Sequence, residues 1–68
     1  MTRKALDDFN KKCVGGFRLY DTCFWGATVI DNDTGDLHDI IANDCGGDFH
    51  RIVLNMCGYT GDPKDVLF

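Results

Sequence analysis

Glutamate, glutamine and serine are missing from this chain, and proline occurs once. All eleven acidic residues are therefore aspartate. Aspartate hydrogen-bonds to its own backbone, so it collects at helix starts and turns and leaves helix interiors to other residues. Acidic positions here mark the boundaries of elements. Long apolar runs are also lacking: none approaches the roughly 20 residues that a membrane-crossing helix needs. The opening Met1-Thr2-Arg3-Lys4-Ala5-Leu6-Asp7-Asp8 has no apolar core of a secretory signal. These two absences predict a complete cytoplasmic product with no membrane role.

Positive charge is scarce as well. Seven Lys and Arg against eleven Asp leave a formal charge of −4. Direct nucleic-acid binding needs a basic face that displaces counterions, so this balance argues against it. An acidic surface suits a basic protein partner instead, or simply keeps a small domain in solution. Phosphate cradles are absent too: neither Gly15-Gly16 nor Gly46-Gly47 belongs to a Walker or G-x-G-x-x-G spacing.

What remains is a chain of 68 residues, enough for one domain spanning 1–68. A domain of this size buries only about 60% of the surface that its unfolded form exposes. Five Phe, two Tyr and one Trp still provide ample apolar mass and exclude intrinsic disorder. Extra stability would come from a second copy of the chain, a metal, disulfides or a partner. Four Cys without a secretory signal are expected to be thiols that behave as small hydrophobes.

Local patterning predicts an α+β fold: an N-terminal helix, a small antiparallel sheet over about residues 17–41, and a second helix over about 48–57. Over Thr2 to Cys13, Ala5, Leu6, Phe9 and Cys13 share one helical face, with acid-first pairs Asp7–Lys11 and Asp8–Lys12 opposite. Gly15-Gly16 is the expected stop. Phe17 to Asp31 is rich in β-branched and aromatic residues. Within it, Asp21-Thr22 fits either a tight turn between strands or a bulge in one strand. Asp31-Asn32-Asp33-Thr34-Gly35-Asp36 reads as a type I turn closed by a left-handed glycine. Leu37 to Ala42 fits a returning strand better than a short helix. Beyond the loop Asn43 to Gly47, Asp48 is a candidate cap for a helix with Phe49, Ile52, Val53 and Met56 on one face, Leu54 off it, and Gly58 as its stop. Asp62-Pro63 opens a further turn, and the apolar Val66-Leu67-Phe68 calls for packing on this core or on a second subunit.

Three chemical readings of the residues compete with a purely structural one. Counting Asp31 as the first ligand of a calcium loop puts Gly35 at the fifth position, Asp36 at the sixth and Ala42 at the twelfth. Such a loop needs a ligand, a glycine and a bidentate Glu at those places, so a hairpin turn explains the Asp residues better. For zinc, His38, Cys45, His50 and Cys57 form the best set, although no C-x-x-C knuckle is present. For nucleophilic catalysis, Cys45 with His50 or His38, an orienting Asp48 or Asp44, and the Gly46-Gly47 amides supply the ingredients. So small a domain offers little room for a water-excluding cleft, and no enzyme, cofactor or resident metal is expected.

The aromatic residues point elsewhere. Strand alternation would place Phe24 and Trp25 on opposite faces of the sheet, leaving one of them for another molecule. The reading that follows is a small acidic, non-enzymatic protein that binds and regulates or inhibits a larger, basic protein. The expected contact residues are Tyr20, Phe24 and Trp25 with Asp31, Asp33, Asp36, Asp39, Asp44 and Asp48. A sharper version has these Asp carboxylates imitating phosphates, as small viral or mobile-element inhibitors do by analogy. The alternatives are the zinc-stabilised domain and a small-ligand binder at a subunit interface, such as that of a homodimer.

Overall fold

The computed structural model describes residues 1–66 and 68. The chain runs through helix α1 (Arg3–Lys11), strands β1 (Phe17–Cys23), β2 (Gly26–Asp31) and β3 (Leu37–Ile41), and helix α2 (Phe49–Cys57). Short 3-10 turns occupy Ala42–Cys45 and Pro63–Asp65. The architecture is α+β, as the patterning predicts.

Thr2 caps α1, its hydroxyl accepting from Ala5 N at 3.1 Å. Phe9 is buried, while Leu6 and Cys13 pack against the core from the same helical face. The helix stops before Cys13, earlier than predicted. Cys13 is drawn into a β-bridge with Tyr59, and the Thr60 amide donates to Lys12 O at 2.7 Å. Neither predicted i,i+4 ion pair forms; Lys11 lies 4.0 Å from Asp8 instead, one residue closer in sequence.

The sheet is an antiparallel meander of order β1-β2-β3. Its register shifts between Leu19 and Asp21, so Asp21-Thr22 belongs to a bulged β1 and the tight-turn reading is set aside. The chain reverses at Phe24-Trp25, between the paired Cys23 and Gly26. Neither aromatic residue takes a positive φ, so this turn lacks the mirror-image form that two-residue hairpins favour. The β2–β3 turn follows its pattern: Asp31 Oδ1 accepts from Asp33 N and Thr34 N, and Gly35 sits at φ 77°. Leu37 to Ile41 is the returning strand expected from that geometry.

Both helices pack on the same side of the sheet. The core between them holds Phe9, Leu19, Ala27, Val29, Val53 and Cys57. Helix α2 is rotated relative to the predicted stripe: Val53 and Cys57 are buried, Leu54 packs on the core, and Ile52 is exposed. Its C-terminus closes at Gly58 (φ 62°), where Gly58 N and Tyr59 N donate back to Asn55 O and Leu54 O. Phe68 returns to this core, packing against Phe9 and Phe49 and stacking on His50. Leu67 lies outside the described residues.

Candidate functional site: the bare sheet face and its aromatic tip

With both helices on one side, the other face of the sheet is left without a layer. Alternation from the buried Leu19 and Val29 assigns its occupants. Arg18, Ile30 and Leu37 form one row, Asp21, Thr28 and Asp39 the next, and Cys23, Gly26 and Ile41 the third. The bulge adds Tyr20 to the middle row, because two residues there oppose one. Beyond the third row stands the Phe24–Trp25 turn, with the two rings edge to face at 5.2 Å.

Exposure concentrates here. Of eight exposed large hydrophobics among the described residues, Tyr20, Phe24, Trp25, Leu37 and Ile41 belong to this face and its tip. Phe24 is 91% and Trp25 67% exposed. Their presentation differs from that predicted by strand alternation. They do not part to opposite faces; both project from the turn, since the residues between two paired strand ends face neither side of the pleat.

The middle row is acidic. Thr28 Oγ1 donates to Asp39 Oδ1 at 2.6 Å, which fixes one carboxylate oxygen and leaves the other without a protein partner among the described residues. Asp21 Oδ1 accepts from the Thr22 amide. Further acids line the route of β3: Asp33 and Asp36 precede it, and Asp44 lies in the turn that follows it. Two predicted contact residues are engaged elsewhere. Asp31 holds the turn, and Asp48 faces Arg51 at 2.9 Å. The six Asp residues therefore do not form one free row; Asp33, Asp36, Asp39 and Asp44 remain along β3.

Asp21, Ile30, Leu37 and Ile41 are face residues that the sequence reading did not select. Their signal was the alternation of Leu37, Asp39 and Ile41 in β3. What it could not show is that this alternate set faces outward, while Ile40 packs on the core.

The zinc set is not assembled. Among the described residues no three His, Cys or Asp side chains converge as a metal site. His38 packs edge-on to Phe17, Cys45 Sγ donates to Ile41 O at 3.2 Å, His50 Nε2 meets the Phe68 main-chain oxygen, and Cys57 is fully buried. Cys45 and His50 thus each meet a main-chain oxygen, and no hydrogen bond joins them as nucleophile and base among the described residues. Cys57 lies beside Cys13, and all four cysteines are free thiols. Burial, followed by the neighbouring Cys13 sulfur, pushes the Cys57 thiol up to about 12; burial also raises Cys13. Both are held protonated, the reverse of an activated nucleophile.

An open groove of ≈ 500 Å³ runs under the tip, lined by Thr22, Cys23, Phe24, Phe49, His50 and Phe68 among others. Comparison with protein-family models, curated proteins and solved structures gave no match. No helix among the described residues is long and apolar enough to cross a membrane.

Proposed function

We propose that this chain is a small non-enzymatic interaction protein that binds, and thereby regulates or inhibits, a larger basic protein in the cytoplasm. The observation that carries this reading is the uncovered sheet face, with five exposed large hydrophobics clustered around an acidic middle row. Strand spacings make the face about 17 Å by about 14 Å, or roughly 240 Å² in plan. A stable interface covers about 800 Å² per partner, so the face alone is too small. Phe24 and Trp25 can each bury about 150–250 Å² more, which makes the tip an integral part of the contact. Exposed aromatic anchors beside charge are the usual centres of binding energy. The phosphate-imitating version then rests on Asp33, Asp36, Asp39 and Asp44 along β3.

The test is a photo-crosslinking amino acid at position 37 to capture the partner, followed by titration of the purified partner. Phe24→Ala and Trp25→Ala are each expected to weaken binding by about 30-fold, and the double variant by roughly several hundred-fold, since each anchor of this kind contributes about 2 kcal/mol. Raising salt is expected to weaken it further by screening the acidic row. An acidic partner, or unchanged affinity in the double variant, would refute the reading.

A further inference from the structure

The two edges of the sheet are treated differently by the fold. In an antiparallel ladder, alternate residues turn their N–H and C=O groups towards the neighbouring strand, and the others turn them away. On β1, the Gly16 O to Asn32 N bond sets this phase and directs the Leu19 groups outward. Asn10 on α1 occupies both: its Nδ2 donates to Leu19 O and its Oδ1 accepts from Leu19 N, each at 2.8 Å. That edge is blocked by a side chain that copies a strand.

On β3, the Asp31 N to Asp36 O and Ala42 N to Trp25 O bonds set the phase. The outward groups are those of Leu37, Asp39 and Ile41. Ile41 O is taken by the Cys45 thiol; the other five have no protein partner among the described residues. The same three residues show their side chains on the bare face, with Leu37 54% and Ile41 41% exposed on either side of Asp39. The edge therefore carries a row of free backbone donors and acceptors and an apolar–acidic–apolar row of side chains.

We infer that the β3 edge is the docking site for an extended segment of the basic partner, added antiparallel as a fourth strand with a Lys or Arg opposite Asp39 and apolar residues opposite Leu37 and Ile41. This rests on the proposed function and names the recognised segment: apolar-x-basic-x-apolar. Backbone bonding supplies affinity in strand addition, and the alternate side chains supply specificity. Charge selects the occupant. A second copy added about a two-fold axis through the centre of β3 would put Asp39 opposite Asp39, and like charges directly opposed are destabilising. A cation at that position instead meets the carboxylate oxygen that Thr28 leaves unbound.

The experiment fuses the segment Thr-Val-Thr-Lys-Thr-Val-Thr to the N-terminus of the full chain through a flexible Gly/Ser linker, giving an effective concentration of the order of mM. The readout is amide hydrogen exchange at Leu37, Asp39 and Ile41. The Lys segment is expected to slow exchange at all three amides by about tenfold or more. A Glu in place of its Lys, or a Pro in place of one Val, is expected to abolish the protection. In the Asp39→Lys background the preference should reverse, with the Glu segment protecting. Equal protection by the Lys and Glu segments, or no protection in either background, overturns the inference. Concentration-dependent protection in the unfused protein overturns it in favour of a second copy. Should protection fail while the crosslinked partner still needs Phe24 and Trp25, strand addition falls and the proposed function stands.

Discussion

Cys57 has no exposed surface, and its thiol shares the core with that of Cys13. An unfolded cysteine thiol titrates near 9.0, and folding pushes that of Cys57 up to about 12. Well below 9.0 both states keep the proton and this thiol adds no pH dependence to stability. Between 9.0 and about 12 the unfolded chain releases a proton that the folded chain retains, so unfolding becomes easier as pH rises. The slope from this group is at most about 1.4 kcal/mol per pH unit. Urea midpoints measured from pH 8 to 11 should fall more steeply for the wild type than for Cys57→Ala, a difference that isolates this thiol. At pH 8, iodoacetamide should modify the exposed Cys23 first and Cys57 only after unfolding. The expectation of free thiols acting as small hydrophobes holds for Cys57, but four cysteines spread along the chain do not say which pair the fold brings together.

Among the elements, the first helix and first strand are joined by one side chain. Asn10 is an unremarked polar residue between Phe9 and Lys11, yet it bonds both backbone groups of Leu19. Asn10→Ala leaves those groups, next to a buried side chain, without their partner, and should cost about 1–3 kcal/mol. Chemical denaturation would measure that loss. Amide exchange at Leu19 should rise with it, whereas Asn10→Asp, which keeps only the acceptor, should retain the Leu19 N–H bond. Helix α2 shows the limit of periodicity. The positions Phe49, Ile52, Val53, Met56 and Cys57 all fall within one broad apolar arc, and only contact with the sheet decides that Val53 and Cys57 lie at its centre while Ile52 is left at its edge. The bulge reading of Asp21-Thr22 holds, but the β1–β2 turn itself had no signal: Phe24-Trp25 carries no glycine or asparagine because neither residue takes a positive φ.

For the whole molecule, the proposed choice between a basic partner and a second copy rests on Asp39. A short edge strand with free backbone groups and flanking Leu37 and Ile41 is a template for aggregation, and a charge at its centre is a common protection. Asp39→Val should therefore raise self-association, seen as a concentration-dependent increase in sedimentation coefficient relative to the wild type. An unchanged coefficient at high protein concentration would show that the carboxylate has no such role.

The α+β class, the order helix–sheet–helix, the Asp31–Asp36 turn, the caps at Thr2 and Asp62 and the stop at Gly58 follow from local rules that act over four or five residues, and patterning reaches that far. Which face of the sheet stays bare, where Phe24 and Trp25 point, how α2 is rotated and which edge is blocked all depend on contacts between residues distant in the chain. Alternation divides a strand into two sets of side chains but does not say which set meets the helices. That choice was made by Leu19, Ala27 and Val29 packing against Phe9, Val53 and Cys57. It turned Leu37, Asp39 and Ile41 outward and produced the surface on which the proposed function rests.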